Sequence, residues 1–239
     1  MASYNKGKVL STYGAKENAV LVKEDWTKRW ENHHIAFHMP QADPDLVKFK
    51  DRLSNGGSKV FVPLCGKTLD LLYLVELGHE VIGCEICEMP ILEFFEDHSV
   101  KYERWQHPTA PFEIFKGIDK KITIYKGDFF ELKSSIVGKF DGAWDRGAFG
   151  SVHPSLEFKY ADVMNDLMKA NGRYILSTFE YETALPGPPF SVHAEDIAAA
   201  LGRYFNISKL EYYETKDYNF LQRAACPVTG ITISLLSPK

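Results

Sequence analysis

The sequence lacks the features that mark several classes of protein. No apolar run approaches the roughly 20 residues that a helix needs to cross a bilayer, and the first twenty residues contain no apolar stretch of the kind found in signal peptides. The 28 Lys and Arg residues are outnumbered by 32 Asp and Glu residues, and no block of five basic residues occurs. Because binding to many phosphates needs a local surplus of Lys and Arg, we expect no nucleic-acid partner. We also expect no membrane association and a cytoplasmic location.

Cysteine is scarce, with only four in the chain. Cys84 and Cys87 form a C-x-x-C pair, but the second pair or the two nearby histidines that would complete a zinc site are missing. A redox pair would place its first cysteine at the start of a helix, whereas Cys84 ends an apolar run. We therefore expect free thiols and no metal.

The phosphate-binding motifs are absent as well. Neither G-x-G-x-x-G nor the P-loop pattern occurs, which argues against NAD, FAD and ATP. The chain has 239 residues, 45% of them hydrophobic, and this is enough to build a core without disulfides or metals. We expect a flexible, polar arm over residues 1–22 and a single domain over residues 23–239.

Strand and helix patterns alternate along this domain. The predicted strands are 59–63, 80–85, 112–115, 121–125, 140–145, 173–179, 205–213 and 229–236, and the predicted helices include 67–77 and 155–170. Such alternation is typical of an α/β fold with a mostly parallel sheet and helices on both faces. The last two strands have no helix between them, which allows an antiparallel strand at one edge. In such sheets ligands bind beyond the carboxyl ends of the strands.

Two strand ends carry residues suited to a nucleoside. Gly66 follows the first strand, and Glu85, nineteen residues later, follows the second. A carboxylate at this spacing can accept hydrogen bonds from both ribose hydroxyls. Taken singly, Gly66 is also typical of a tight turn and Glu85 of an exposed acid, but together they favour a nucleoside. Without a phosphate loop, the pattern suggests a nucleoside that carries no phosphates, and S-adenosylmethionine is the common cofactor of that shape.

Two later strand ends also carry residues that could contact such a ligand. Asp128 can accept from an exocyclic amine while Phe129 flanks a flat base; the alternative is that Asp128 caps a short helix. Asp145 and Arg146 follow a further strand and can face the same pocket; the alternative is a surface ion pair of little value.

Aromatic residues recur near the amino terminus. Trp26 and Trp30 are four residues apart and share a helix face, and Phe37 lies near that face if the helix continues. Spacing alone favours a stripe that faces the core over a helix that closes on a flat ligand.

Six segments stand out along the chain: WTKRW at 26–30 leading to Phe37-His38, VFVPLCGK at 60–67, GHEVIGCE at 78–85, GKFD at 138–141, WDRGA at 144–148 and GPPF at 187–190. In these segments the sequence resembles the thiopurine S-methyltransferase family, from about Trp26 to the last strand. They are long and keep their order and spacing. The wider superfamily also includes halide and small-thiol methyltransferases.

The resemblance implies a Rossmann-like class I methyltransferase fold that depends on S-adenosylmethionine. The sheet would have seven mostly parallel strands with one antiparallel edge strand, and an amino-terminal helix would act as a lid. The implied cofactor contacts are Trp26, Trp30, Leu64, Gly66, Glu85, Asp128, Phe129 and Arg146. The implied substrate contacts are Phe37, Pro189 and Phe190. The resemblance therefore places Trp26, Trp30 and Phe37 over the ligand, whereas spacing alone favoured an aromatic stripe that faces the core.

The implied reaction is transfer of a methyl group to the sulfur of a small aromatic or heterocyclic thiol, with S-adenosylhomocysteine as the product. Arg146 would favour the thiolate, and Asp145 would steady the cationic end of the cofactor. The loop 183–190 would form a second lid, and Arg223 lies where the family has another arginine, although its local spacing does not match. The alternatives are a halide or small-thiol methyltransferase and a binding module without turnover. We expect a monomer.

Overall fold

The computed structural model describes residues 20–54, 58–181, 187–215 and 229–239. The helices are α1 (Lys23–Glu31), α2 (Pro44–Leu53), α3 (Asp70–Glu76), α4 (Glu88–Asp97), α5 (Ser134–Val137), α6 (Ala148–Ser151), α7 (Glu157–Leu167) and α8 (Ala194–Ala200). The strands are β1 (Lys59–Val62), β2 (Glu80–Glu85), β3 (Tyr102–Gln106), β4 (Glu113–Gly117), β5 (Ile122–Lys126), β6 (Phe140–Arg146), β7 (Met168–Glu180), β8 (Phe205–Thr215) and β9 (Thr229–Pro238). Of the predicted arm, residues 1–19 lie outside the described residues.

The strands form one mixed sheet in the order β3-β4-β5-β2-β1-β6-β7-β9-β8. The five central strands, from β5 to β7, are parallel, whereas β4 and β9 run antiparallel to their neighbours. The α/β class with a mostly parallel sheet is confirmed. None of the helices in these ranges is long and apolar enough to span a bilayer.

The strand count differs from the prediction, because the sheet has nine strands rather than seven. The unpredicted strand β3 is largely exposed and polar, so it carries no alternating pattern, and it pairs with β4 in a hairpin. The antiparallel strand β9 is also not at the edge, since it lies between β7 and β8. Ile231 and Ile233 of β9 are fully buried, and a strand of this kind belongs inside the sheet while the more exposed β8 takes the edge.

Two hydrophobic clusters cover the two faces of the sheet. Successive residues of β1 point to opposite faces, so Phe61 joins one cluster while Val60 and Val62 join the other. The first cluster includes apolar residues of α7 and α8, and the second includes residues of α2, α3 and α4. Helices on both faces leave the carboxyl edge of the parallel strands as the place where a cleft can open.

Some element boundaries differ from the predictions. The helix predicted over 67–77 begins only at Asp70. The helix predicted over 155–170 ends at Leu167, and the residues that follow it belong to β7.

Candidate active site

A cleft lies beyond the carboxyl ends of β1, β2 and β6, under α1 and the segment 37–43. Its lining residues are Trp26, Arg29, Trp30, Phe37, His38, Met39, Gln41, Asp43, Val62, Pro63, Leu64, Cys65, Gly66, Lys67, Thr68, Asp70, Glu85, Ile86, Trp144, Arg146, Gly147, Ser151, Phe179, Pro188 and Pro189. Eight of the predicted site residues are among them: Trp26, Trp30, Phe37, Leu64, Gly66, Glu85, Arg146 and Pro189.

Gly66 and Glu85 meet on one wall of the cleft. The Gly66 N–H donates to Glu85 Oε2 at 2.9 Å, and the Cys87 N–H donates to Oε1 at 2.8 Å. Burial raises the pKa of the Glu85 carboxyl, and the N–H groups of Cys87 and Gly66 limit the rise. A carboxylate held by peptide N–H groups at a cleft wall is placed to accept hydrogen bonds from hydroxyl groups.

The loop that carries Gly66 adopts an unusual backbone. Leu64 and Gly66 have φ values of +43° and +49°, in the left-handed region that is costly for a residue with a side chain. The Cys65 N–H donates to the Cys84 carbonyl at 2.9 Å, which ties this loop to β2. Such a conformation persists where the surroundings determine it, and it is frequent at functional sites.

The aromatic residues form the roof. A Cβ placed on Gly66 would lie 3.0 Å from Trp30 Cζ2, so the indole covers this glycine closely. The rings of Trp30 and Phe37 meet edge to face, with centroids 5.6 Å apart. The helix ends at Glu31, so the condition on which Phe37 would share its face is not met; a turn brings Phe37 back instead. All three aromatics, Trp26 included, line the cleft rather than only packing into the core.

Arg146 joins the sheet to the roof. Its Nη1 donates to the Phe37 carbonyl at 2.6 Å, and its Nε lies 3.3 Å from Asp43 Oδ2. The guanidinium carbon is 5.8 Å from the centre of the Phe179 ring. The side chain of Arg146 is only 13% exposed, so this cation is fixed and largely shielded from bulk water.

Two aspartates that were not predicted from the sequence support Arg146: Asp43 is its partner, and Asp70 holds Asp43 in place. Asp70 accepts from the Asp43 N–H at 2.7 Å and from Trp144 Nε1 at 2.8 Å. Asp43 caps α2 by accepting from the Asp45 N–H at 2.8 Å. The sequence Asp43-Pro44 is a typical helix start and could have revealed the cap, although not the pairing with Arg146.

Asp145, predicted to be catalytic, does not line the cleft. Its Oδ1 accepts from the N–H groups of Ala148 and Phe149 at 3.1 and 3.2 Å. Its Oδ2 accepts from the hydroxyls of Tyr160 and Tyr174 at 2.6 and 2.7 Å. Side chains alternate along a strand, so the residue before Arg146 points to the opposite face. The structure therefore contradicts direct contact between Asp145 and the cofactor.

Three further predicted residues also lie outside the lining. Phe129 is 2% exposed and stacks on Tyr160 at 4.6 Å in the core. Asp128 is exposed and accepts from the Phe130 N–H at 2.8 Å, so the capping alternative is confirmed. The ring of Phe190 packs edge-on against His153 at 5.6 Å, whereas Pro189 beside it lines the cleft.

The sequence analysis missed several lining residues. They include Arg29, His38, Met39, Gln41, Lys67, Thr68 and Phe179. Lys67 and Thr68 come directly after Gly66 and could have been found from that position, whereas the segment 38–43 carries no pattern. Arg223, Cys226 and residues 183–186 of the second predicted lid lie outside the described residues.

Several solved structures with a similar fold are methyltransferases. One is 1,6-didemethyltoxoflavin-N1-methyltransferase from Burkholderia thailandensis, solved with bound 1,6-didemethyltoxoflavin and S-adenosylhomocysteine. It has a TM-score of 0.62 and 16% identity, covering 91% of this chain and 87% of that one. A SAM-dependent methyltransferase from Anabaena variabilis also has a TM-score of 0.62, at 12% identity over 96% of this chain and all of the other. At these identities the similarity shows the fold.

Sequence comparisons give the family. The family model for thiopurine S-methyltransferase matches residues 21–232. Thiopurine S-methyltransferase from Bos taurus is 37% identical over 201 residues, covering 82% of each chain. The probable thiopurine S-methyltransferase of Danio rerio is 36% identical, covering 82% of this chain and 87% of its own. The chain therefore belongs to the thiopurine S-methyltransferase family.

Proposed function

We propose that this protein transfers a methyl group from S-adenosylmethionine to the sulfur of small aromatic or heterocyclic thiols. The observation that carries the proposal is the cleft itself, in which the buried carboxylate of Glu85 and the fixed cation of Arg146 lie under one aromatic roof. The relatives at 36–37% identity bear the name thiopurine S-methyltransferase, which supports a thiopurine-like acceptor.

The residues present fit the cofactor. The carboxylate of Glu85 suits the ribose hydroxyls, and the absent side chain of Gly66 leaves a space that a Cβ would fill against Trp30. The aromatic side chains above it, Trp26 and Phe37 among them, suit a cationic sulfonium, because ring faces attract cations. When bound, S-adenosylmethionine supplies an electrophilic methyl group.

The chain contributes mainly position and charge. Arg146 orients the acceptor and favours its thiolate form, since a guanidinium stabilises a nearby anion. Holding the reacting groups in line is worth roughly 7–11 kcal/mol in favourable systems. The roof of Trp30 and Phe37 excludes water from the reacting atoms.

Asp145 has a positioning role in this scheme. By binding the two tyrosines and the first N–H groups of α6, it fixes the backbone from which Arg146 projects. The carboxylate itself touches neither ligand.

We further propose a cytosolic monomer in which residues 23–239 form one domain with α1 as its lid. Cys65, Cys84 and Cys87 are buried and free, which suits a reducing compartment.

A two-part experiment tests the function. The first part measures thermal stability with S-adenosylhomocysteine or NAD; at a hundredfold excess over Kd, a specific ligand adds about 2.7 kcal/mol of stability. We expect this effect from S-adenosylhomocysteine only. The second part supplies methyl-labelled cofactor with an aryl thiol, a thiopurine, hydrosulfide or iodide. Labelled aryl thiol and thiopurine support the proposal; label only on iodide or hydrosulfide, or binding without transfer to any acceptor, contradicts it.

A further inference from the structure

One imidazole lines the cleft without an assigned role. His38 follows directly on Phe37, whose carbonyl receives Arg146, and it lines the same cleft. The turn is fixed because the His38 N–H donates to the Ile35 carbonyl at 2.8 Å. Within the described ranges no hydrogen bond involves its ring, so the ring nitrogens are not committed to another described residue.

The surroundings of His38 are positively charged. Burial, Lys67 and Arg146 lower the pKa of His38, with a smaller contribution in the same direction from His98, while Asp97 opposes them. Lys67 is held by Glu93 at 2.8 Å and Asp97 at 3.2 Å, which keeps this cation beside the cleft. The imidazole is therefore neutral at pH 7 and has one nitrogen lone pair available.

Heterocyclic thiols pose a problem that aryl thiols do not. In their neutral form they are largely thiones, with the proton on a ring nitrogen and a C=S bond. Methyl transfer to the sulfur of a thione forms one S–C bond and breaks the S–C bond of the sulfonium, whose electron pair stays on the departing sulfur. The ring N–H must then release its proton, leaving its electron pair to the ring. A base near the acceptor is needed for that proton.

The other groups near the acceptor cannot take it. The guanidinium of Arg146 has only N–H donors and no acceptor, and Lys67 is an ion-paired cation. The carboxylates that line the cleft are engaged: Asp70 accepts from the Asp43 N–H and Trp144 Nε1, and both oxygens of Glu85 accept from peptide N–H groups. Asp43 accepts from the Asp45 N–H, and its Oδ2 faces Arg146 Nε at 3.3 Å. His38 is the remaining titratable group on this wall whose ring is uncommitted among the described residues.

We propose that His38 is the general base that takes the ring N–H proton of a heterocyclic thione acceptor. The inference rests on the proposed function and adds to it an acceptor class, namely heterocycles whose ring nitrogen carries a proton beside the C=S group. Aryl thiols that are already ionised need no such base.

Two acceptors separate this role from a structural one. The variant His38→Gln is compared with wild type on a thiopurine and on thiophenol, the latter at a pH where it is a thiolate. General bases contribute typically 10²- to 10⁴-fold, so we expect kcat/KM for the thiopurine to fall roughly a hundredfold while that for thiophenolate stays within about threefold. His98→Gln is the matched control, because His98 is a neighbouring imidazole at the end of α4 that does not line the cleft. His98→Gln should leave kcat/KM unchanged for both acceptors.

A binding measurement gives a readout without turnover. The thione and the thiolate of a thiopurine absorb at different wavelengths, and S-adenosylhomocysteine can fill the cofactor site. We expect wild type and His38→Gln to bind the thiopurine with the same absorbance and within about threefold in affinity, because His38 takes the ring proton only as the sulfur is methylated. The rate of wild type with the thiopurine should also fall as His38 becomes protonated below pH 6.5, the ordinary pKa of histidine, because its own pKa lies lower still. The remaining activity of His38→Gln should lack this dependence.

The outcomes are distinct. Equal losses on both acceptors, a loss below threefold on the thiopurine, or a matching loss of thiopurine binding in His38→Gln would overturn the role of His38 while the proposed function stands. Wild type that binds S-adenosylhomocysteine but methylates no thiol overturns the proposed function instead. If His38→Gln does not fold, His38→Ala is assayed with added imidazole, and failure of imidazole to restore thiopurine turnover counts against the proposal.

Discussion

Glu85 and Asp145 are two buried acids at the carboxyl ends of two parallel strands, and they do different work. Burial raises the pKa of both carboxyl groups. Glu85 is held by N–H groups of the loops around the cleft and lines it. Asp145 is held by two phenols of the core and by the start of α6. An acid at a strand end therefore serves a site only if the strand presents it to that face.

The largest expected effect lies on the Asp145 side of this comparison. Asp145→Ala leaves two buried tyrosine hydroxyls and two N–H groups without their acceptor, at about 1–3 kcal/mol each before relaxation. We expect the free energy of unfolding to fall by about 4 kcal/mol in urea titrations. The folded fraction should bind S-adenosylhomocysteine within about threefold of wild type. A fall below 1 kcal/mol would show that the tyrosines find other partners.

Substitution of Glu85 should lower cofactor affinity more than it lowers stability. Glu85→Gln keeps the shape but weakens the two charge-assisted hydrogen bonds proposed with the ribose hydroxyls, each worth about 1.5–3 kcal/mol. We expect calorimetry to show a loss of affinity for S-adenosylhomocysteine of about 3 kcal/mol. The new amide NH2 faces one of the two peptide N–H groups that the carboxylate accepts from, so the free energy of unfolding should fall by about 1–3 kcal/mol, less than in Asp145→Ala. The contrast between the two acids is wrong if Asp145→Asn lowers the affinity for S-adenosylhomocysteine more than Glu85→Gln does.

Arg146 sharpens the contrast, because it is the neighbour of Asp145 on the opposite face. Arg146→Ala should lower turnover roughly thirtyfold, about 2 kcal/mol, since it removes the cation that favours the thiolate. Cofactor affinity should stay within about threefold. Arg173→Ala is the control, because Arg173 is exposed on the adjacent strand β7. If cofactor affinity is largely lost while turnover of bound cofactor is unchanged, Arg146 contacts the cofactor and not the acceptor.

The smallest effect concerns the glycine beside Glu85. Gly66 and Gly78 both have positive φ, but a Cβ on Gly78 meets nothing within 4 Å, whereas one on Gly66 meets Trp30. Each substitution by Ala should cost about 1 kcal/mol of stability from the backbone alone. Only Gly66→Ala should also lower the affinity for S-adenosylhomocysteine, by about fivefold, because the indole of Trp30 has to move. Equal affinities for both variants would show that the roof adjusts freely.

The sequence predicts the sheet and its carboxyl edge well. Buried parallel strands such as β1 and β2 read as short apolar runs, and the residue after each run is local information, which is why Gly66 and Glu85 could be placed. The resemblance to a family added Trp30 and Phe37, which spacing alone had favoured as core.

The site predictions that were wrong depend on the direction in which a side chain points. Phe129 and Asp145 are at the correct strand ends but point into the core, and a pattern of residue types does not fix the face on which a strand end turns. The segment that supplies His38 and Asp43 has no periodicity, and contacts over more than a hundred residues bring it to Arg146. Such long-range packing is not encoded in a local window.

The hydrogen bond between Arg146 and the Phe37 carbonyl has a consequence for biosynthesis. It joins positions 109 residues apart, so the two halves of the cleft come from parts of the chain made at different times. On the ribosome, a growing chain that ends before residue 146 has the covering segment and its contact with Asp70 but lacks the bond that joins it to β6. Cofactor can thus assist folding only in its late stages, after β6 has left the exit tunnel and joined the sheet.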